Sequence, residues 1–538
     1  MTALTGTTAL TRLALRRDRF ALPAWVLGLA SLMAGFTAMS AGLEDADLVQ
    51  ETEFTAGNPG LRIFGLASGA SVGGYTMLRS YLLLAVLAGL MSTLAVVRHT
   101  RQNEETGRAE LVGASSTGRH AALTAAVVVA VCANTALAVL TGLAMIVNGQ
   151  PVGASFTAGV SIGAAGTAFA GVAAITAQLS SNSRGANGLA AAVLGVSFLL
   201  AGVGNMLGSV DASGLWAESS WSAWLSPLGW GQQMRPFDGG RWWPLALFAV
   251  FLAVLLAVAC SLAGRRDVSR GVLPDRRGRA AAAPGLLSPL GLAMRLQRGT
   301  LLGWATGMLT LGAVLGAVTD DVKNLEGAAL EWYTHMGGTD RIVDAYLTSI
   351  AEMAGMAVAV CVVQMLLRMR AEEAEGHLES LLASCVSRPR WAVSHVLSAA
   401  TGAVGLLLVF AVGTGLSAGH VLGDTPAQLR AMTEAVLAQL PAILAIGACA
   451  IAVTGLLPRW AGPVSWSVLL ASLLLGPMFA PTIDLPQWVQ DVSPFTHTPR
   501  APAGSVTAAP VVTLLGVSVA LAAAGLMSFR RRSLVLPA

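Results

Sequence analysis

Runs of about twenty apolar residues recur along the whole chain, and only short polar stretches separate them. A helix needs about 20 such residues to cross the hydrocarbon core of a bilayer. Inside lipid every backbone amide must be satisfied within its own segment or in a closed barrel. A barrel would show short alternating strands, which this sequence lacks. The runs therefore predict an all-α polytopic membrane protein. Twelve spans are expected, near 21–42, 76–97, 121–147, 157–178, 187–207, 243–263, 300–318, 346–367, 393–417, 437–457, 463–483 and 507–528. The composition agrees, with 54% hydrophobic residues, 12% charged residues and a mean hydropathy of +0.67. Soluble chains are rarely so apolar.

Charge fixes an expected orientation. Positively charged residues collect in cytoplasmic loops. Placing both termini inside puts Arg12, Arg16, Arg17, Arg19, Arg98, Arg101, Arg108 and Arg119 on that side. Arg530, Arg531 and Arg532 and the basic stretch from Arg265 to Arg298 join them. Glu44, Asp45, Asp47, Glu51 and Glu53 fall outside. The net charge of +4 follows this topology and forms no single patch, so nucleic acid is not an expected partner, whereas membrane lipid is. The five cysteines have no CxxC spacing, which indicates neither a zinc site nor a disulfide scaffold. No metal site is expected. Gly159 and Gly163, four apart on the fourth span, offer a face for close helix approach.

The chain repeats itself. The stretch NEETGRAELVGASSTGR, Asn103 to Arg119, returns as EEAEGHLESLLASCVSR, Glu372 to Arg388. Without gaps, Glu104 pairs with Glu373, Gly107 with Gly376, Glu110 with Glu379, Ala114 with Ala383, Ser115 with Ser384 and Arg119 with Arg388. Each copy follows the second span of its half. Arg16, Arg19, Leu22, Trp25 and Gly28 echo as Arg295, Arg298, Leu301, Trp304 and Gly307. Trp221, Ser226 and Pro227 echo as Trp488, Ser493 and Pro494. Matches in one order at equivalent places indicate an internal repeat. The expected organisation is a six-span half at 1–263, a basic cytoplasmic linker at 264–285 and a second six-span half at 286–538.

One polar device in each half suggests two equivalent partners on the cytoplasmic side. Asn103 is expected to cap a short helix, with Glu104 and Glu105 in its first turn. Leu111 and Val112, or Leu378, Leu381 and Leu382, give it a small apolar face. Such a helix can dock in a partner's groove.

At these residues the chain resembles the permeases of type-2 ABC exporters. These carry a segment like E-x-x-G-x-x-E-x-L-x-x-x-P-x-S-R after their second span, a coupling helix that meets the ATPase subunit. Glu104, Gly107, Glu110 and Arg119 match in the first copy, and Glu373, Gly376, Glu379, Leu381 and Arg388 in the second. Leu111 and Leu382 complete the contact set that the resemblance implies. The usual proline is absent from both copies, and the leucine pair is weakened to Val112-Gly113 in the first. Basic entry helices at 5–20 and 286–299 extend the likeness, as does a large outer loop before each half's last span. The fused two-half form resembles actinobacterial exporters of tetronasin and other polyketide antibiotics and mycobacterial multidrug efflux permeases. The resemblance implies two six-helix halves and export of bulky amphipathic compounds. It also implies two copies of a separate ABC ATP-binding protein that holds ATP and magnesium.

The chain itself is expected to bind no nucleotide. A phosphate-cradling loop needs G-x-x-x-x-G-K-[ST], and the single lysine, Lys323, stands in TDDVKNLE without those glycines. No cofactor is expected here, and no enzyme activity, since the seven histidines show no ligand spacing. The alternative is a proton-coupled secondary transporter of twelve spans. It needs ionisable groups at depth, and Glu352 is the one clear candidate. In the resembling family the second and fifth spans of each half line the central cavity, so the resemblance implies Met91, Asn205, Met206, Glu352 and Met356 as candidate walls, and methionine suits irregular apolar ligands. Six tryptophans between Trp216 and Trp243 suit a membrane interface or a lid over an exit path.

Overall fold

The computed structural model describes residues 2–267, 270–273, 280–320, 322, 342–477, 486–501 and 508–534. It is almost wholly helical. Among the described residues eleven helices are long and apolar enough to span a membrane, and Ala461–Leu474 is a shorter apolar helix. The chain divides into two compact units, Met1–Gly278 and Arg279–Ala538. The expected linker at 264–285 straddles that division, and residues 268–269 and 274–279 within it lie outside the described residues.

The first unit begins with α1 (Thr7–Arg17) and α2 (Ala21–Ala41), with a turn at Asp18–Phe20 between them. The segment after α2 carries α3 (Asp45–Gly57) and α4 (Pro59–Arg62), and α5 (Val72–His99) returns across the unit. Two short helices follow, α6 (Arg101–Glu105) and α7 (Arg108–Gly113). The long α8 (Ala121–Val147), α9 (Val152–Leu179) and α10 (Ser183–Met206) come next, and α12 (Pro244–Arg265) closes the unit. Before α12 the connecting loop forms a two-stranded ribbon, β1 (Ser209–Val210) with β2 (Ala217–Glu218), and a short helix α11 (Pro227–Gln232).

Small residues set the core. A side chain at Gly159 would collide with the Ala138 carbonyl, and one at Gly163 would lie 2.7 Å from the Asn134 carbonyl oxygen. The Gly-x-x-x-Gly face therefore lets α9 lie directly on α8, as the sequence spacing suggested. Asn134 also donates to Ser92 Oγ at 2.7 Å, tying α8 to α5. Met33, Leu84, Leu137, Ile162 and Phe169 fill the space between. By contrast α12 fully buries only Pro244, Phe248 and Ala259, while Leu245, Phe251 and Leu255 are partly buried against the core and Val250, Val254 and Val258 face outward.

The second unit holds α13 (Pro289–Ala317), α14 (Ile342–Ala374), the short α15 (His377–Leu382), α16 (Arg388–Leu422), α17 (Thr425–Leu437) and α18 (Leu440–Leu456). It ends with α19 (Ala461–Leu474), α20 (Gln487–Gln490) and α21 (Ala508–Arg531). Here the entry helix and first span fuse into one, whereas Asp18 interrupts them in the first unit. Asp18 is buried and pairs with Arg98 and His99 at the foot of α5, each at 2.7 Å. The predicted span near 463–483 is a helix only to Leu474, and residues 478–485 lie outside the described residues.

The Ser-Pro echoes fold alike. Ser226 caps α11 by accepting from the Leu228 amide at 3.1 Å, and its hydroxyl donates to the Ser197 carbonyl at 2.6 Å. Ser493 accepts from the Phe495 amide at 3.3 Å and donates to the Ser472 carbonyl at 2.7 Å. In both units one serine caps a turn and pins it to the preceding span. The first unit's tryptophan loop is partly drawn inward: Leu228 is buried, and Tyr81 Oη donates to its carbonyl at 2.9 Å.

Candidate functional site

The repeated polar stretch sits at one end of each helical unit, and its backbone is built the same way twice. In the first unit α5 ends at His99, the chain kinks at Thr100, and α6 makes a single turn. Gly107 then adopts φ 71°, and α7 starts directly after it. In the second unit Gly376 adopts φ 77°, and α15 starts after it. This left-handed conformation costs glycine nothing and other residues about 1–2 kcal/mol. The helix start expected at Asn103 is corrected. Asn103 lies inside α6, where its Nδ2 donates to the His99 carbonyl at 3.0 Å, and the glycine begins the helix instead.

Glu104 does not project from this stretch. Arg266 grips it with both terminal nitrogens, at 2.5 and 2.8 Å, and Arg101 reaches it at 2.7 Å. Arg101 is fully buried and also donates to the Ala177 carbonyl at 2.6 and 2.9 Å. Arg266 further donates to Gln178 at 2.7 Å. The carboxylate thus ties the foot of α5 to the ends of α9 and α12. Two-pronged arginine–carboxylate pairs are strong and directional.

The second unit repeats the clamp. Arg532, just past α21, grips Glu373 at 2.5 and 2.7 Å. Arg370 lies 3.5 Å from Glu373 and donates to the Pro458 carbonyl, beyond α18, at 2.9 Å. Arg388 donates to the Arg532 carbonyl at 2.8 Å. In the first unit Arg119 lies beside Gly264 near the end of α12, so both terminal arginines of the repeat lean on their own unit's last span. Sequence reasoning named Arg101 and Arg532 only as cytoplasmic charges and did not single out Arg266 or Arg370. The signal was present: an arginine stands three residues before each glutamate, and another stands just beyond each half's last span.

Facing outward are Arg108, Glu110, Leu111 and Gly113 on α7 and His377, Glu379 and Ser380 on α15. Leu111 is 79% exposed, while Leu378 is 1% exposed. Leu378 fastens α15 to its own unit. Leu381 and Leu382 are half-buried, and Leu381 borders a small cavity of about 180 Å³ with Leu296, Trp391, His395 and Glu372. Glu372 there pairs with Arg368 at 3.0 Å and with His395 at 3.4 Å. In α7 no residue is buried. Ala109, Val112 and Gly113 line a groove of about 650 Å³, with α1 as another of its walls.

The candidate cavity residues do not line these grooves. Met91 is buried in the α5 core. Asn205 is buried too, donating to Gln232 at 3.1 Å and accepting from Ser219 at 2.7 Å, so it anchors the loop before α12. Met206 is half-buried beside it in sequence. Glu352 and Met356 are buried on α14 in the second unit. Glu352 Oε2 has no hydrogen-bond partner among the described residues. No group of metal-ligating side chains occurs among the described residues.

This architecture has relatives. The family profile described as the C-terminal domain of the multidrug efflux system permease Rv1217c matches residues 8–264 and 286–530. The multidrug efflux system permease protein Rv1217c of Mycobacterium tuberculosis (strain ATCC 25618 / H37Rv) is 36% identical over 538 residues, covering 98% of this chain and 95% of its own length.

Proposed function

The chain belongs to the family of the multidrug efflux system permease Rv1217c, and from that premise we propose that it is the membrane permease of an ATP-driven exporter of bulky amphipathic compounds. Each half engages one copy of a separate ABC ATP-binding protein, which binds ATP and magnesium. The arginine-rich ends of the units, with both termini, face the cytoplasm.

One observation carries the reading. Each unit presents a short helix bearing an outward glutamate, Glu110 or Glu379, on a base locked by an arginine–glutamate clamp. A rigidly based, exposed charge is suited to transmitting a partner's movement into the spans. Glu104 and Glu373 act as struts of that base, and Glu110, Leu111 and Glu379 meet the partner. The absence of a phosphate-binding loop from the sequence is consistent with nucleotide hydrolysis in another polypeptide.

The test is transport by the reconstituted chain with and without the ATP-binding protein. ATP-dependent efflux that requires the partner supports the reading. Efflux by the chain alone, driven by a proton gradient and abolished by Glu352→Gln, would establish the secondary transporter instead. With the partner present, Glu110→Ala and Glu379→Ala are expected to lower substrate-stimulated ATP hydrolysis several-fold. Unchanged hydrolysis in both would return these glutamates to solvated loop positions.

A further inference from the structure

The groove behind α7 has a chemistry that the coupling role does not use. Its volume of about 650 Å³ is ample for a lipid headgroup and the start of a chain. One part is cationic: Arg17, Arg108 and Arg119 border it, and among the described residues none of the three forms an ion pair. Of its two carboxylates, Glu104 is already gripped by Arg101 and Arg266, and Asp267 is exposed. The other part is apolar, with Leu10 and Leu13 from α1 facing Leu123 of α8. Burial, and then the neighbouring guanidiniums of Arg108 and Arg98, hold Arg17 below the usual arginine pKa. Positive charge is therefore gathered here against its own repulsion, beside an apolar wall.

The second unit supplies an internal contrast. The same place there shrinks to about 180 Å³ and has no arginine in its lining. Leu381 lines it where Val112 lines the first, Trp391 lines it too, and the Glu372–His395 pair supplies the polar part; Leu378, in place of Ala109, is buried.

We propose that the first-unit groove binds one anionic phospholipid, its phosphate among Arg17, Arg108 and Arg119 and one acyl chain along Leu10, Leu13 and Leu123. Three observations favour a lipid. Basic pockets at the cytoplasmic ends of membrane helices suit anionic headgroups. The entry helix α1 carries Leu13 and Leu15 exposed beside Arg16 and Arg17, as an interfacial helix does. A free phosphate would leave the apolar wall unused. The site needs no ATPase partner, so it stands or falls separately from the coupling role.

The experiment is native mass spectrometry of the full chain, delipidated in detergent and titrated with phosphatidylglycerol, phosphatidylcholine or inorganic phosphate. The wild type is expected to retain one phosphatidylglycerol at least tenfold more strongly than phosphatidylcholine, with no displacement by phosphate. Arg17→Gln/Arg108→Gln should lower that retention about tenfold. Ala109→Leu/Gly113→Leu, which puts leucines on the groove's wall where the second unit has Leu378 and Leu382 and leaves the arginines in place, should lower it as well. Equal retention of both lipids, displacement by phosphate, or unchanged retention in both variants would overturn the proposal.

Discussion

The two short helices α7 and α15 begin from the same glycine geometry and stand on the same clamp, yet they are held differently. α15 is seated by Leu378, which lies against its own unit. α7 buries nothing; Ala109 and Gly113 replace leucines there and leave a groove beneath it. What differs is a few methylene groups on the inner face. What stays equal is the backbone and the charge lock. The comparison separates two tasks of one sequence motif. Glu104/Glu373 and Gly107/Gly376 build the platform, while the residues after the glycine decide how firmly the helix lies on it. The first copy looked weaker in the sequence because its apolar pair was read as a partner contact. The structure turns Leu378 and Leu381 inward and leaves Leu111 of the first copy exposed.

The largest expected effect strikes the shared part. Removing one partner of a buried ion pair costs about 3–5 kcal/mol, so Glu373→Ala should lower the stability of the purified chain by that order. Glu373 is 1% exposed as a side chain and Glu104 is 14% exposed. Glu104→Ala should therefore cost less, measured by denaturant unfolding in detergent. Equal losses would break the ranking of the two clamps. Next in size is Leu378→Ala, expected to cost about 2–4 kcal/mol as a buried leucine truncation. Hydrogen exchange should show α15 loosening toward the behaviour of α7. No change in exchange would mean that Leu378 does not seat the helix.

Smaller effects should be equal in the two halves. Gly107→Ala and Gly376→Ala each force a side chain into the left-handed region, where nothing else crowds it, at about 1–2 kcal/mol apiece. Unequal costs would show that the platforms differ more than their geometry indicates. The smallest effect belongs to the first unit alone. Glu51, on α3 between two spans, has its carboxyl pushed above the usual range by burial, against the opposing pull of Arg79 and Tyr75. Its charged form is penalised in the folded state. That penalty is complete above the raised folded pKa and vanishes below the unfolded value, about 4.3. Glu51→Gln should therefore unfold at a higher temperature than wild type at pH 8, and the gap should close as the pH falls. A gap that widens on acidification would contradict this.

Much of the fold was legible because a bilayer enforces a simple rule: twenty apolar residues, then a polar break. The span at 121–147 coincides with α8, and Gly159/Gly163 correctly marked a close contact. Residues 437–457 and 463–483 were harder. The first run is helical at Leu440–Leu456, entered through a two-residue turn at Ala438–Gln439; in the second, α19 stops at Leu474, short of the apolar run's expected end. The β1–β2 ribbon escaped notice because two-residue strands leave no periodicity. At the site, residue spacing revealed the repeat but not the direction of its side chains. Glu104 looked like an exposed acid because its partner Arg266 lies far along the chain, in a stretch that reads only as basic flank. Asn103 looked like a cap because asparagine commonly is one, but the αL glycine sets the helix start.

The account rests most heavily on each half offering a platform to an ATP-binding partner. Its most direct measurement is the native mass of the complex purified with that partner. The predicted result is one permease chain with two ATP-binding subunits, falling toward one when Glu110 or Glu379 is replaced together with its neighbouring outward residue, Leu111 or Ser380. A chain that purifies with no ATP-binding subunit, or a complex whose stoichiometry is indifferent to both replacements, would contradict it.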